Sequence, residues 1–374
     1  MLKEYFEKAL LEADIKINGS RPWDIQVKDE RFYKRVFLHG SLGLGDSYID
    51  GWWECESLDV FFTKALLGRV NKKMIHNFNN YSEVIKAKLI NLQSPSRAFQ
   101  VGKHHYDTGN DFYELMLDKR MVYTCGYWKN AKNLDEAQEA KLDLVCKKIG
   151  LKKGQRILDI GCGWGSFAKF AAEKYGAKVI GINNSVEQAK LAKVRCNLLP
   201  VEIYVQDYRE INGKFDHIIS LGMFEHVGYK NYKTYLEVVH RCLKDDGLFL
   251  LHTMGQRDSY PNFHQPEYHW IIRRIFPNGM MPSIKQIGEA MENLFVMEDW
   301  HTFRADYDKT IMAWFDNFDK NWPKLKDKYG ERFYRMWKYA LMSFAGMFRV
   351  ENQYNLWQIV LSKNGVKGGY ESIR

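Results

Sequence analysis

The sequence predicts an α/β fold: a doubly wound, mostly parallel sheet with a smaller helical N-terminal domain. Three observations carry this. Residues from about 135 to 255 alternate short apolar runs with helical spacings. The first run ends in the glycine turn Asp159-Ile160-Gly161-Cys162-Gly163. Residues 1–95 carry helical apolar spacing broken by loop signals at Asn18-Gly19-Ser20, Gly40-Ser41-Leu42-Gly43 and Asp50-Gly51. Strands separated by helices of about 10–15 residues form parallel sheets, because each parallel pair needs a crossover.

Taken in order, residues 1–8 read as an amphipathic helix, with acids too early for a secretory signal. Residues 58–67 and 84–90 have helical spacing, the latter with lysines beside an apolar stripe, as core packing or a membrane surface would each require. Strands are expected at 156–160, 177–182, 201–205, 215–220 and 247–252, and helices at 166–175, 186–197 and 231–243, with Ser185 as an N-cap. A strand at 295–300, helices at 309–321 and 331–348 and a last strand at 356–361 complete the pattern. The domain boundary is placed near residue 95, giving a helical N-terminal domain over 1–95 and a larger α/β domain over 96–374. An insertion at about 256–293, too large for a simple connection, is read as a lid or substrate wall.

Composition narrows the function. At 45% hydrophobic and 27% charged, the 374 residues can bury a sizeable core, and the 15% aromatic share suits an apolar pocket or surface. No run approaches the ~18 apolar residues of a membrane span. The six cysteines form no CxxC pair, so free thiols in a reducing cytoplasm are expected and no metal site is. Net charge is +9, and residues 61–105 hold eight basic residues against the single acid Glu83, a local +7. A solvated helix face, a nucleic acid or an anionic membrane would each accommodate it; near a membrane each basic residue contributes about 1 kcal/mol.

Gly161 and Gly163 follow a buried-type strand and open a helix, the context of a nucleotide-type site at the carboxyl edge of an open sheet. A dinucleotide fingerprint differs in glycine spacing and needs an acid at the end of the second strand, where this chain has Asn183-Asn184. The stretch Leu158-Asp159-Ile160-Gly161-Cys162-Gly163-Trp164-Gly165 resembles the first motif of class I, Rossmann-like methyltransferases, which use S-adenosylmethionine. By that resemblance, Asp207 contacts the adenosyl moiety.

His105-Tyr106-Asp107, Tyr123-Thr124-Cys125-Gly126-Tyr127-Trp128, Gly222-Met223-Phe224-Glu225-His226-Val227-Gly228 and Phe249-Leu250-Leu251-His252-Thr253 resemble signatures of the bacterial cyclopropane-fatty-acyl-phospholipid synthases. Gly43-Leu44-Gly45-Asp46-Ser47-Tyr48-Ile49-Asp50-Gly51-Trp52-Trp53 and Ala305-Asp306-Tyr307-Asp308 extend the resemblance over nearly the whole chain. It implies transfer of a methylene group from S-adenosylmethionine to the cis double bond of an unsaturated phospholipid chain, with bicarbonate as base. The residues matching the bicarbonate pocket are Cys125, Glu225, His252 and Tyr307, with a backbone contact at Met254. Those matching the cofactor site are Tyr123, Thr124, Asp159, Gly161, Gly163, Asn183, Gln188 and Asp207. It also implies that residues 1–95 form a lipid- or membrane-binding domain and 96–374 the catalytic domain, with the 256–293 insertion covering the acyl chain, in a homodimer, cytoplasmic and peripheral on the inner face of an anionic membrane.

The chemistry suits these residues. An alkene is a feeble nucleophile, so it must be held close to the methyl donor, and a developing carbocation needs dry, aromatic walls, for which Tyr123, Tyr127, Trp128, Phe224 and Tyr307 are candidates. Taken singly, Cys125 reads as a small buried hydrophobe, His252 as a core histidine and Tyr307 as a packing residue. The sequence departs from relatives at Asn183, where threonine or an acid is usual, at Thr124 in place of serine and at Met254 in place of isoleucine. The rival readings are a methyltransferase for RNA or for a small-molecule amine, and a lipid-binding module with an inactive methyltransferase fold. No Asn/Asp-Pro-Pro-Tyr/Phe motif supports nucleic acid, so no nucleic-acid partner is expected.

Overall fold

The structure, a computed structural model, describes residues 2–70, 109–259, 269–350 and 354–374. The expected helix at 84–90, the motif His105-Tyr106-Asp107, most of the basic segment and part of the 256–293 insertion lie outside the described residues. In chain order the elements are α1 (Leu2–Leu11), β1 (Gln26–Val27), α2 (Arg31–Ile49), β2 (Trp53–Glu54), α3 (Leu58–Leu67), α4 (Asn110–Met116), α5 (Leu134–Lys148), β3 (Arg156–Ile160), α6 (Ser166–Tyr175), β4 (Lys178–Asn183), α7 (Val186–Arg195) and β5 (Val201–Val205). They continue with β6 (Phe215–Leu221), α8 (Tyr232–Cys242), β7 (Leu243–Gln256), α9 (His269–Arg274), α10 (Ile284–Met291), β8 (Val296–Thr302), α11 (Ala305–Arg349) and β9 (Tyr354–Ser362).

The chain divides into two compact units. One comprises Met1–Ile90, Pro261–Pro277 and Tyr307–Tyr354; the other comprises Asn91–Tyr260, Asn278–Asp306 and Asn355–Arg374. This differs from a single cut near residue 95. The apolar face of α11 finds its partners among the N-terminal helices, so a segment assigned from sequence to the catalytic domain packs with the first unit.

The second unit is the expected sheet. Its seven strands run in the order β5-β4-β3-β6-β7-β9-β8, with β5 through β7 parallel and β8–β9 antiparallel. Alternation along β3 sends Ile157 into a core shared with Leu142 and Val145 of α5 and Phe167 and Ala171 of α6. Leu158 and Ile160 enter the opposite core, with Tyr235 and Val239 of α8 and Ile287 of α10. Ser185 caps α7 by accepting from Gln188 N, and Ser283 with Gln286 forms a capping box at α10.

In the first unit, the Gly43–Trp53 motif is structural. Trp53 is wholly buried and donates to Leu44 O and Ser47 Oγ; Asp46 receives Trp270 Nε1 and Arg274; Arg335 donates to Tyr48 O and Glu54 while its guanidinium lies over Tyr48. The helices α1–α3, α9 and α11 enclose an apolar cavity lined by Phe6, Phe32, Phe61, Trp270, Tyr339 and Met347 among others. The two helices expected over 309–348 both lie within α11, which leaves helical geometry between them at Gly330, where φ is 71°. Among the described residues no helix is long and apolar enough to cross a membrane, and no cluster of metal-ligating side chains occurs.

Candidate active site

The carboxyl edge of the sheet is built around β3 and β4. After Ile160 the chain turns with Gly161 at φ 85°, and Gly161 N and Cys162 N both donate to Ile182 O. A side chain at Gly161 would strike Met223, whereas Gly163 has open space before it, the cradle a ligand needs. All eight candidate cofactor residues, Tyr123, Thr124, Asp159, Gly161, Gly163, Asn183, Gln188 and Asp207, line one cavity here. Lys141, Trp164, Arg209 and His226 share it.

Several of these side chains are fixed by the chain itself. Asn183 Nδ2 donates to Gly163 O and Gln188 Oε1, both at 3.0 Å, and its Oδ1 accepts from Ser185 N. With both amide hydrogens engaged, Asn183 can only accept from a ribose hydroxyl. Asp207 accepts from Arg209 N and its guanidinium. Asp159 is buried, its Oδ2 has no partner, and burial raises its carboxyl to about 7 against the opposing pull of Lys141. An unpartnered buried carboxylate oxygen facing a cavity suits a cationic ammonium, so these residues fit the amino-acid end of S-adenosylmethionine.

The second cluster lies where β6 and β7 end. Glu225 Oε1 accepts from Met254 N at 2.7 Å, while Glu225 Oε2 is buried without a partner. Burial pushes this carboxyl up to about 7, the hydrogen bond from Met254 opposing. His252, 1% exposed, is held well below the usual imidazole range, first by burial and then by the charges of Lys141 and Lys148, so it is neutral. Gln358 Nε2 lies 3.4 Å from His252 Nδ1, a pairing that, with the amide as donor, puts the imidazole proton on the buried, unpartnered Nε2. Glu225 Oε2, His252 Nε2 and Gln358 Oε1 are thus buried polar atoms without a hydrogen-bond partner among the described residues.

Cys125 is wholly buried, its Sγ against Gly126 O, in the loop that carries Tyr123 and Thr124. Tyr307 belongs to the first unit, where its ring packs on Phe348 and Trp314. Phe224, expected on the cation-lining wall, is instead stacked on Tyr232 at 4.3 Å inside the core, since its 3-10 turn points it away from the cavity. Phe303, absent from the sequence reading, packs between Tyr127 and His252. Gln358 was equally missed: a single amide in an apolar strand gives no signal until its neighbour is known. Lys141 was missed because a lysine in an amphipathic helix reads as a surface residue.

The fold and cavity define a class I methyltransferase dependent on S-adenosylmethionine. The family model described as mycolic acid cyclopropane synthetase matches residues 93–359. The chain is 52% identical over 365 residues to the cyclopropane-fatty-acyl-phospholipid synthase of Escherichia coli, covering 98% of this chain and 94% of that protein. It is also similar to the solved mycolic acid cyclopropane synthase CmaA1 complexed with SAH and CTAB, with a TM-score of 0.65, 31% identity, and 71% and 98% of the two chains covered. Coclaurine N-methyltransferase shares the fold, with a TM-score of 0.67 at 21% identity over 86% of this chain and 99% of that one. The chain belongs to the cyclopropane synthase family.

Proposed function

We propose that the protein transfers a methylene group from S-adenosylmethionine to the cis double bond of an unsaturated acyl chain in a membrane phospholipid, closing a cyclopropane ring with bound bicarbonate as general base. The observation that supports this best is the adjacency of two sites. His226 lines the cosubstrate cavity, and the preceding residue, Glu225, carries the buried unpartnered oxygen of the polar cluster. S-adenosylmethionine would supply an electrophilic methyl, and bicarbonate, held by Glu225 and His252, would supply a base for the proton that the added methyl loses as the ring closes.

The chain's own residues orient and shield. Glu225 and His252 would hold the bicarbonate between an acceptor and a donor, with Gln358 fixing the tautomer. Tyr127 and Phe303 offer ring faces and exclude water. For Cys125, Met254 and Tyr307 as members of the base pocket, the assignment rests on the resemblance. The apolar cavity of the first unit supports a lipid-binding role for that unit, and the protein is expected to act as a homodimer on the cytoplasmic face of an anionic membrane.

The test is incubation with isotopically labelled S-adenosylmethionine and vesicles of unsaturated phospholipid. Label should appear in ring-containing acyl chains, in a bicarbonate-dependent manner. Label in RNA or in an amine, with none in lipid, would overturn the reading.

A further inference from the structure

Lys141 is wholly buried, and its Nζ donates to Thr124 Oγ1 at 2.7 Å. One turn earlier on α5, the equally buried Gln138 donates through Nε2 to Thr124 O at 2.7 Å. Two side chains of one helix face therefore grip a single residue of the cavity wall. A buried ammonium is costly, and lysine normally extends its charge to water. Here, among the described residues, Thr124 is its one hydrogen-bond partner and it has no ion-pair partner, so two of its three N–H donors are left over. Burial lowers the ammonium to about 8, which leaves it protonated at neutral pH.

The hydrogen bond also dictates what Thr124 can do. A hydroxyl has one hydrogen; with Lys141 donating to its oxygen, that hydrogen must point elsewhere, and Thr124 lines the cavity. Thr124 becomes a committed donor, strengthened by the positive charge behind it. Asp159 lines the same cavity with an unpartnered carboxylate oxygen. An ammonium behind the cavity wall and a carboxyl oxygen free to accept within it are together the complement of a zwitterion.

We infer that Lys141 is a positioning residue for the α-carboxylate of the cosubstrate: it orients the Thr124 hydroxyl toward that carboxylate and supplies the countercharge, while Asp159 takes the α-ammonium. This rests on the reading that S-adenosylmethionine occupies the cavity, and the experiment separates the two. Binding of S-adenosylhomocysteine and of 5′-methylthioadenosine, which lacks the amino-acid end, is measured by calorimetry for wild type, Lys141→Met, Thr124→Val and the double variant.

Wild type should bind S-adenosylhomocysteine; if it binds neither compound, the cosubstrate reading itself fails. Lys141→Met should weaken S-adenosylhomocysteine at least tenfold while leaving 5′-methylthioadenosine within twofold. Thr124→Val, which keeps the buried lysine, should do the same, and the double variant should lose less than the product of the single losses. Equal losses for both ligands, or no loss for either, in the variants that fold would overturn the role of Lys141. Thr124→Val alone decides the matter if Lys141→Met does not fold.

Discussion

Glu225 binds its partners tightly enough to be placed but not tightly enough to be comfortable. Its folded carboxyl sits at about 7 against an ordinary 4.5, because burial outweighs the hydrogen bond from Met254. Between those values the folded state holds a proton that the unfolded state has lost, so stability falls as pH rises through the window, and the cost is complete above pH 7. Glu225→Gln should therefore raise the melting temperature of the unliganded protein at pH 8 by about 2–4 °C while leaving it nearly unchanged at pH 4. The same change should lower turnover by about 10²-fold or more and leave S-adenosylhomocysteine affinity intact. Thermal scans at the two pH values check the first part; an unchanged or lower melting temperature at pH 8 would contradict it. Gln358→Met, which releases His252 Nδ1, should lower turnover by about tenfold without changing the KM for S-adenosylmethionine; equal changes in both would place Gln358 in general packing.

At the scale of elements, the sheet was legible because its strands are apolar runs closed by glycine and polar turns. Helices 58–67 and 166–175 and strands 156–160 and 201–205 fall at the expected residues. Gly161 and Gly163 stand out because a glycine turn after a buried strand is a local signal, whereas Tyr123, Thr124, Asn183, Gln188 and Asp207 are singled out only by the resemblance. What stayed hidden is non-local. Periodicity shows that α11 has an apolar face but not which helices receive it, and neither Lys141 nor Gln358 is distinguishable from its neighbours by type or spacing. Gly45 illustrates how a motif can be visible while its purpose is not: an added Cβ would lie 2.5 Å from the indole of Trp270. Gly45→Ala should destabilise the first unit by about 1–3 kcal/mol through overpacking. Chemical denaturation followed by tryptophan fluorescence checks this, and a change below about 0.5 kcal/mol would mean that α9 moves aside freely.

For the whole molecule, the proposed phospholipid substrate requires contact with a membrane surface. The net +7 between residues 61 and 105 is the sequence feature that bears on it. Reversing Lys72, Lys73, Lys86 and Lys88 to glutamate should weaken binding to anionic vesicles by at least 10²-fold, given about 1 kcal/mol per basic residue near such a surface. Binding to S-adenosylhomocysteine should be unaffected, and the wild-type vesicle affinity should fall as salt is added. Vesicle sedimentation across a salt series checks this; reversal without effect would return the lysines to a solvated face.

The interleaving of the two units along the chain sets the order in which the protein can be made. The N-terminal helices α1–α3 leave the ribosome long before α11, which belongs to their unit. At about 5–20 residues per second, they wait on the order of tens of seconds with Tyr48 and Phe62, whose rings pack on Tyr339 of α11, unprotected on one side. The sheet is held open as well, since β9 sits between β7 and β8 yet is synthesised after both. The unit that begins first is completed only after most of the other has been made. A chain stalled before residue 307 should accordingly expose its aromatic helices to chaperones and proteases, and release of α11 should be the event that withdraws them.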